Sequence, residues 1–141
     1  MNQKKSQPKN DTLCCIYSRV SSSSQNNERQ IMNLKQIAED RGWRVKRVFQ
    51  EKVSGITKAD SRPEFKNMIQ YLENTGIKLV LISEVSRIGR RVVNVLNNVE
   101  MVHQKGIGFF IQQFNIITFK DGKEDPVAKM LLQMLSIGAE M

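Results

Sequence analysis

Of 141 residues only two are cysteine, one is histidine and 6% are aromatic. Cys14 and Cys15 are neighbours, and with the lone His103 they make neither a disulfide framework nor a zinc site. Adjacent strand residues point to opposite faces, so the pair is expected to fill core on both sides of a sheet. No uninterrupted apolar run approaches a membrane span, and the opening Met-Asn-Gln-Lys-Lys lacks the apolar stretch of a signal peptide. A cytoplasmic protein with no membrane partner is therefore expected. Acid is in short supply too: 14 Asp and Glu face 22 Lys and Arg, a net charge of +8. That excess suits a polyanion such as nucleic acid, although Lys4, Lys5 and Lys9 belong to a polar start, residues 1–10, that holds no acid. There is no repeat at solenoid spacing, and no low-complexity tract beyond Ser21–Ser24. What remains, 40% hydrophobic and 26% charged, suits one soluble domain able to bury a real core.

Residues 1–12 are polar, contain Pro8 and show no periodicity, which predicts a disordered basic arm. Ordered structure is predicted over 13–141. Leu13 to Tyr17 reads as a buried strand, and Ile31, Leu34, Ile37 and Ala38 fall on one face of a helix running from Ser24 to Gly42. Trp43 to Phe49 predicts a second strand, and Phe65, Met68, Ile69 and Leu72 a second helix, with Pro63 in its first turn and Gly76 at its end. Ile77 to Ile82 is a continuous aliphatic strand, as suits a parallel strand covered on both faces. A helix with Val92, Val95, Leu96, Val99 and Val102 on one face follows, closed by Gly106. A strand over 107–113 and a short one over 116–119 come next. The last helix starts at Pro126 and carries Met130, Leu131, Met134, Leu135 and Ile137 to the final residue without a cap. It reads as cut from a longer protein, its apolar side either a frayed core face or a surface for another chain. Strand and helix in strict alternation predict an α/β fold: a mostly parallel central sheet of four to five strands, with helices on both faces.

In such sheets ligands sit beyond the carboxyl ends of the strands. The three loops there are Tyr17 to Gln25, Glu51 to Pro63 and Ser83 to Arg91, and each brings arginine to one edge. A single arginine is ordinarily a solvated surface residue. Arg19, Arg62, Arg87 and Arg90 arriving from three loops, beside the hydroxyls of Ser21 to Ser24, predict instead a phosphate site. Guanidinium forks bind phosphate oxygens bidentately and stay charged at any working pH. They can stabilise charge in phosphoryl transfer where a metal ion would otherwise serve. The residue pattern alone leaves the four serines equivalent as nucleophiles, and the later three are natural helix caps. A phosphotransfer or nucleotide-binding α/β enzyme is a weaker alternative, because the first loop lacks the glycines of a P-loop or dinucleotide fingerprint.

Three ordered motifs, Tyr17-Ser-Arg-Val-Ser21 with Gln25 and Gln30 beyond it, Ser54-Gly55 with Arg62-Pro63, and Ser86-Arg-Ile-Gly-Arg90, resemble the catalytic domain of the serine recombinases, the resolvase and invertase family. The resemblance runs from Leu13 to Met141. It implies that Ser21 is the nucleophile that attacks a phosphodiester of double-stranded DNA, giving a 5′-phosphoserine link and a free 3′-hydroxyl. Arg19, Arg62, Arg87 and Arg90 become the phosphate clamp, and Gln25 orients the phosphate or the arginines. It implies no cofactor and no metal. It also implies a homodimer formed through the last helix, a tetramer during strand exchange, and a DNA-binding domain beyond residue 141. Ser86 departs from the family: many members carry aspartate there, and a hydroxyl is a poor acid or base near neutral pH. Glu51, at a position the family often fills with an acid, is expected to order Arg62 or Arg19 rather than to act as the base. A recombinase-like regulator that binds DNA without cutting is the rival within the same family. His103, near a helix end, is expected to cap or to face solvent.

Overall fold

The computed structural model describes residues 12–20, 24–52 and 62–140. The arm 1–11, Ser21 to Ser23 and the segment with Ser54 and Gly55 lie outside the described residues. The elements run β1 (Leu13–Val20), α1 (Ser24–Arg41), β2 (Arg44–Lys52), α2 (Pro63–Thr75), β3 (Leu79–Ile82), α3 (Val92–Gln104), β4 (Gly108–Ile111), β5 (Ile116–Ile117), β6 (Phe119–Lys120), β7 (Lys123–Glu124) and α4 (Pro126–Glu140). A 3-10 turn, Val85–Arg87, joins β3 to α3. The expected alternation is present, and so is the mostly parallel sheet. Its order is β2-β1-β3-β4-β5, with β1 to β4 mutually parallel and β5 antiparallel to β4.

Period-two alternation along β1 sorts the core into two layers. Cys15 and Tyr17 face α2 and α3, packing with Phe65, Met68, Leu72, Val95, Val99 and Val102. Cys14 and Ile16 face α1, packing with Ile31, Leu34 and Ala38. The two cysteines thus lie fully buried on opposite faces, as expected. β3 and β4 are buried along their whole length because helices cover both their faces. Gly42, Gly76 and Gly106, each at φ 78°, end α1, α2 and α3 where the sequence placed the stops. Among the described residues no helix is long and apolar enough to cross a membrane.

The single short strand expected over 116–119 is two strands, split at Thr118. β5 pairs with β4, whereas β6 turns away and pairs with β7, a strand the sequence reading did not include. Asp121 and Gly122 at the turn both have positive φ, 54° and 80°, the geometry that Asp-Gly favours in a two-residue hairpin loop. This hairpin crosses the start of β4 closely: a Cβ built on Gly108 would lie 2.2 Å from the Phe119 carbonyl oxygen, so only glycine fits there.

His103 differs from its expectation as well. It is buried, with Nδ1 2.8 Å from Glu124 and Nε2 2.9 Å from the Thr118 hydroxyl. The Glu124 carboxylate can only accept, so the Nδ1–H serves it; in the neutral ring Nε2 then accepts the Thr118 hydroxyl, whose oxygen accepts the Phe109 N–H at 3.0 Å. The ring ties α3 to the hairpin that leads into α4, where the Asp125 carboxylate accepts the Ala128 N–H at 3.0 Å as the N-cap.

Candidate active site at the carboxyl edge of the sheet

The strand order explains why three strand ends meet. β1 lies between β2 and β3, so the chain leaves β1 in one direction and crosses back past it to form β3. The carboxyl ends of the three strands are therefore adjacent, with Arg19 opposite Glu51 and Val20 opposite Lys52. Such a reversal opens a crevice at the strand ends.

Arg19, on the last turns of β1, is half-buried there. Burial pulls its guanidinium below the ordinary value, and the charges of Arg87, Arg62 and Arg90 pull the same way. Arg62, Arg87 and Arg90 are thus each brought within electrostatic reach of Arg19. Like charges crowded in this way oppose folding and favour an anion among them.

Arg62 sits at the N-cap position of α2 but caps nothing with its side chain. Its guanidinium reaches across to the 3-10 turn, donating from Nη2 to the Arg87 carbonyl at 2.8 Å and from Nη1 to the Ile88 carbonyl. Its plane also lies near two rings, with Cζ 5.7 Å from the centre of Tyr17 and 5.4 Å from that of Phe65. Arg62 therefore fixes the turn that carries Arg87. Asn98 adds a 2.8 Å bond to the Ile88 carbonyl, and the Gln113 side chain accepts the Val85 N–H at 3.2 Å. Gly89 lets the chain tuck against the start of α3, where a Cβ would lie 2.7 Å from the Val95 nitrogen. Arg90 follows and is exposed. Arg87 is only 16% exposed, and among the described residues its buried Nε has no hydrogen-bond partner.

Glu51 is buried at the end of β2. One oxygen accepts the Tyr17 hydroxyl at 3.0 Å and the Phe65 N–H at 2.9 Å, and the other accepts the Glu64 N–H at 3.2 Å. It caps α2 from the preceding strand, which the Arg62 side chain leaves uncapped. Burial raises the Tyr17 phenol well above its ordinary value; the Arg62 charge opposes this and the Glu51 carboxylate adds to it. Any ordering of Arg62 by Glu51 runs through the Tyr17 and Phe65 rings. Ser86 donates its hydroxyl to Glu84 Oε2 at 2.5 Å. Ser21 lies outside the described residues and so does the side chain of Gln25; Val20, on which β1 ends, is the residue before Ser21.

Sequence reasoning missed Asn98 and Gln113, which hold the 3-10 turn, and Glu84, whose carboxylate accepts the Ser86 hydroxyl. Glu84 stands two residues before Ser86 and was readable as an acid in a basic loop, whereas the other two carry no local signal. A cavity of about 450 Å³ opens between α2 and α3 beside Arg62 and Arg90. A larger one, about 1340 Å³, lies at the opposite edge near Arg41, Trp43 and Lys120 and holds none of the four arginines. Among the described residues no three His, Cys, Asp or Glu side chains are grouped to hold a metal ion.

A parallel α/β domain with an arginine cluster after β1, β2 and β3 is the architecture of the serine recombinase catalytic domain. The chain belongs to that family: residues 14–141 match the model of the resolvase N-terminal domain. No curated protein sequence matches it. Among solved structures, the N-terminal catalytic domain of TP901-1 integrase is 28% identical with a TM-score of 0.71, over 92% of this chain and 95% of that one. The C-terminal catalytic domain of ISC1926 TnpA, an IS607-like serine recombinase, is 25% identical with a TM-score of 0.62, over 89% of this chain and 80% of that one. A resolvase family site-specific recombinase from Streptococcus pneumoniae, 23% identical with a TM-score of 0.69 over 92% and 86%, shares the fold.

Proposed function

We propose that the chain is the catalytic domain of a site-specific DNA recombinase that cuts and rejoins double-stranded DNA through Ser21, without a metal ion. The observation that carries this reading is the convergence of Arg19, Arg62, Arg87 and Arg90 at the end of the strand that leads into Ser21. The Ser21 hydroxyl oxygen attacks the phosphorus, a 5′-phosphoserine bond forms, the bond to the 3′ oxygen breaks, and that oxygen leaves as a hydroxyl carrying a proton. The reverse attack by a 3′-hydroxyl restores the phosphodiester and releases Ser21, so no external energy source is needed. The arginines bind the non-bridging oxygens and offset the charge that develops on them. Gln25 helps orient the phosphate. The partner is duplex DNA, and the site where this happens is the cytoplasmic nucleoid of a cell or of a mobile element's host.

Strand exchange needs more than one active site, and α4 supports self-association. Ala128 and Leu132 are buried on its inner side, while Val127, Met130, Met134 and Ile137, spaced three and four apart, leave an apolar stripe exposed. That stripe is the surface through which two copies pair, with two dimers meeting as a tetramer during exchange. Sequence choice belongs to a DNA-binding domain beyond residue 141. The test uses the full-length protein on the DNA flanking its gene, comparing wild type with Ser21→Ala after verifying that both bind. A denaturant-resistant adduct at the 5′ end, absent in the variant, is the expected result. Binding by both with no adduct from either, under conditions that trap cleavage, overturns catalysis in favour of a non-cutting regulator.

A further inference from the structure

We infer that Glu84 is a positioning residue of this active site, supplying, with the Ser86 hydroxyl bound to it, the carboxylate that holds Arg87 toward the phosphate; the inference rests on the recombinase reading above. The backbone of the 3-10 turn asks nothing of this side chain. The Arg87 N–H goes to the main-chain carbonyl of Glu84 at 3.0 Å, the Val85 N–H goes to Gln113, and Glu84, although at the N-cap position, makes no capping bond with its carboxylate. The carboxylate turns instead toward the site. Its Oε2 accepts the Ser86 hydroxyl at 2.5 Å, the short distance typical of a charge-assisted O–H···O bond, and stands 3.8 Å from Arg87 Nη1.

Two consequences follow for the chemistry. The Ser86 hydrogen is committed to Glu84, so the lone pairs of that hydroxyl are left for a donor, whether a guanidinium N–H or the O–H of an attacking or leaving group. Glu84 holds Arg87 on its Nη1 side, and among the described residues the buried Nε has no hydrogen-bond partner. Glu84 thus offsets part of the cation crowding around Arg19 without occupying the donor that a phosphate oxygen would take. Stability is a poor alternative reason for this acid. Its side chain is 44% exposed, and ion pairs so open to water contribute little to folding.

The experiment measures DNA affinity, melting temperature and single-turnover adduct formation for the full-length protein on a supercoiled plasmid bearing the DNA that flanks its gene. Glu84→Gln is expected to slow adduct formation roughly tenfold to a hundredfold, the scale of one charge-assisted hydrogen bond, with affinity and melting temperature unchanged. Ser86→Asp in the same chain as Glu84→Gln is expected to restore the rate, because it places a carboxylate beside Arg87 directly. Ser86→Ala is expected to slow the reaction by a similar factor, and adding Glu84→Gln to it to cost little more, as for two residues coupled by a hydrogen bond. Wild-type speed in Glu84→Gln overturns the inference. So does a loss that tracks melting temperature, or one that Ser86→Asp fails to rescue. No adduct from the wild type would instead remove the recombinase reading itself, and that result is visible before any variant is compared.

Discussion

The two ends of the sheet are built on opposite electrostatic plans. At the amino edge, charged and polar groups find partners within the chain. His103 is held between Glu124 and Thr118, Arg41 donates to Asn115 at 2.6 Å while stacked over Trp43 and Phe110, and Lys105 meets Glu73. At the carboxyl edge Arg19 is crowded by Arg62, Arg87 and Arg90, and among the described residues the buried Arg87 Nε has no hydrogen-bond partner. Of the acids at this edge, Glu51 is spent on Tyr17 and the first amides of α2, and Glu84 stands 3.8 Å from Arg87 Nη1. One edge pairs its charges within the chain; the other gathers like charge that a bound anion would offset. Residues at the first edge should therefore govern stability, and those at the second should govern chemistry.

The largest separation is expected from Arg87→Ala, which should slow adduct formation by about two to three orders of magnitude, the scale of losing one charge-stabilising donor. Melting temperature should hold or rise, since a like charge has been removed; a parallel fall in both would break the contrast. Gly108→Ala tests the amino edge. Its Cβ meets the Phe119 carbonyl, and the backbone shift required should cost about 2–4 kcal/mol in a denaturant titration, with the rate per folded molecule unchanged. His103→Leu leaves Thr118 and Glu124 without their partner and should cost about 1–3 kcal/mol by the same measurement, again sparing catalysis.

Inorganic phosphate sharpens the other side. At ten times its dissociation constant it should stabilise the wild type by roughly 1 kcal/mol, a few degrees of melting temperature, and should stabilise Arg87→Ala less. An equal shift in both would place the anion elsewhere. The last effect vanishes at neutral pH. Burial holds the Cys14 thiol up at about 12, reinforced by Cys15, and holds Cys15 at about 11 against the lowering charge of Arg47, where an ordinary thiol stands at 9.0. Above pH 9 the unfolded chain loses these protons and the folded one keeps them, so stability should fall as pH rises from 9 toward 11 or 12. Urea midpoints at pH 8 and pH 10 would show it, and Cys14→Ala should flatten the fall.

Much of this was legible in the sequence for a plain reason. Helices α1, α2 and α3 and strands β3 and β4 announce themselves because burial on one or both faces imposes a period or an aliphatic run. The arginines were legible because each lies at or beyond the end of a strand. The β6–β7 hairpin was missed because two-residue strands have no period, although Asp121-Gly122 was a turn signal in view. His103 was misjudged because its partners lie 15 and 21 residues away, beyond any local pattern. Glu51 shows the same limit: an acid at a strand end could face the arginines or cap the next helix, and only the packing of Tyr17 against Phe65 turns it to the helix.

By itself the sequence determined what local interactions decide: where the chain extends or coils, where glycine stops a helix, and which loops carry arginine and serine. The tertiary structure alone decided that β1 lies between β2 and β3. That order puts the carboxyl ends of three strands side by side and lets Arg62 clasp the turn of Arg87. Strand order is set by how whole helices cover both faces of the sheet, a balance of burial over the entire domain that no short segment contains.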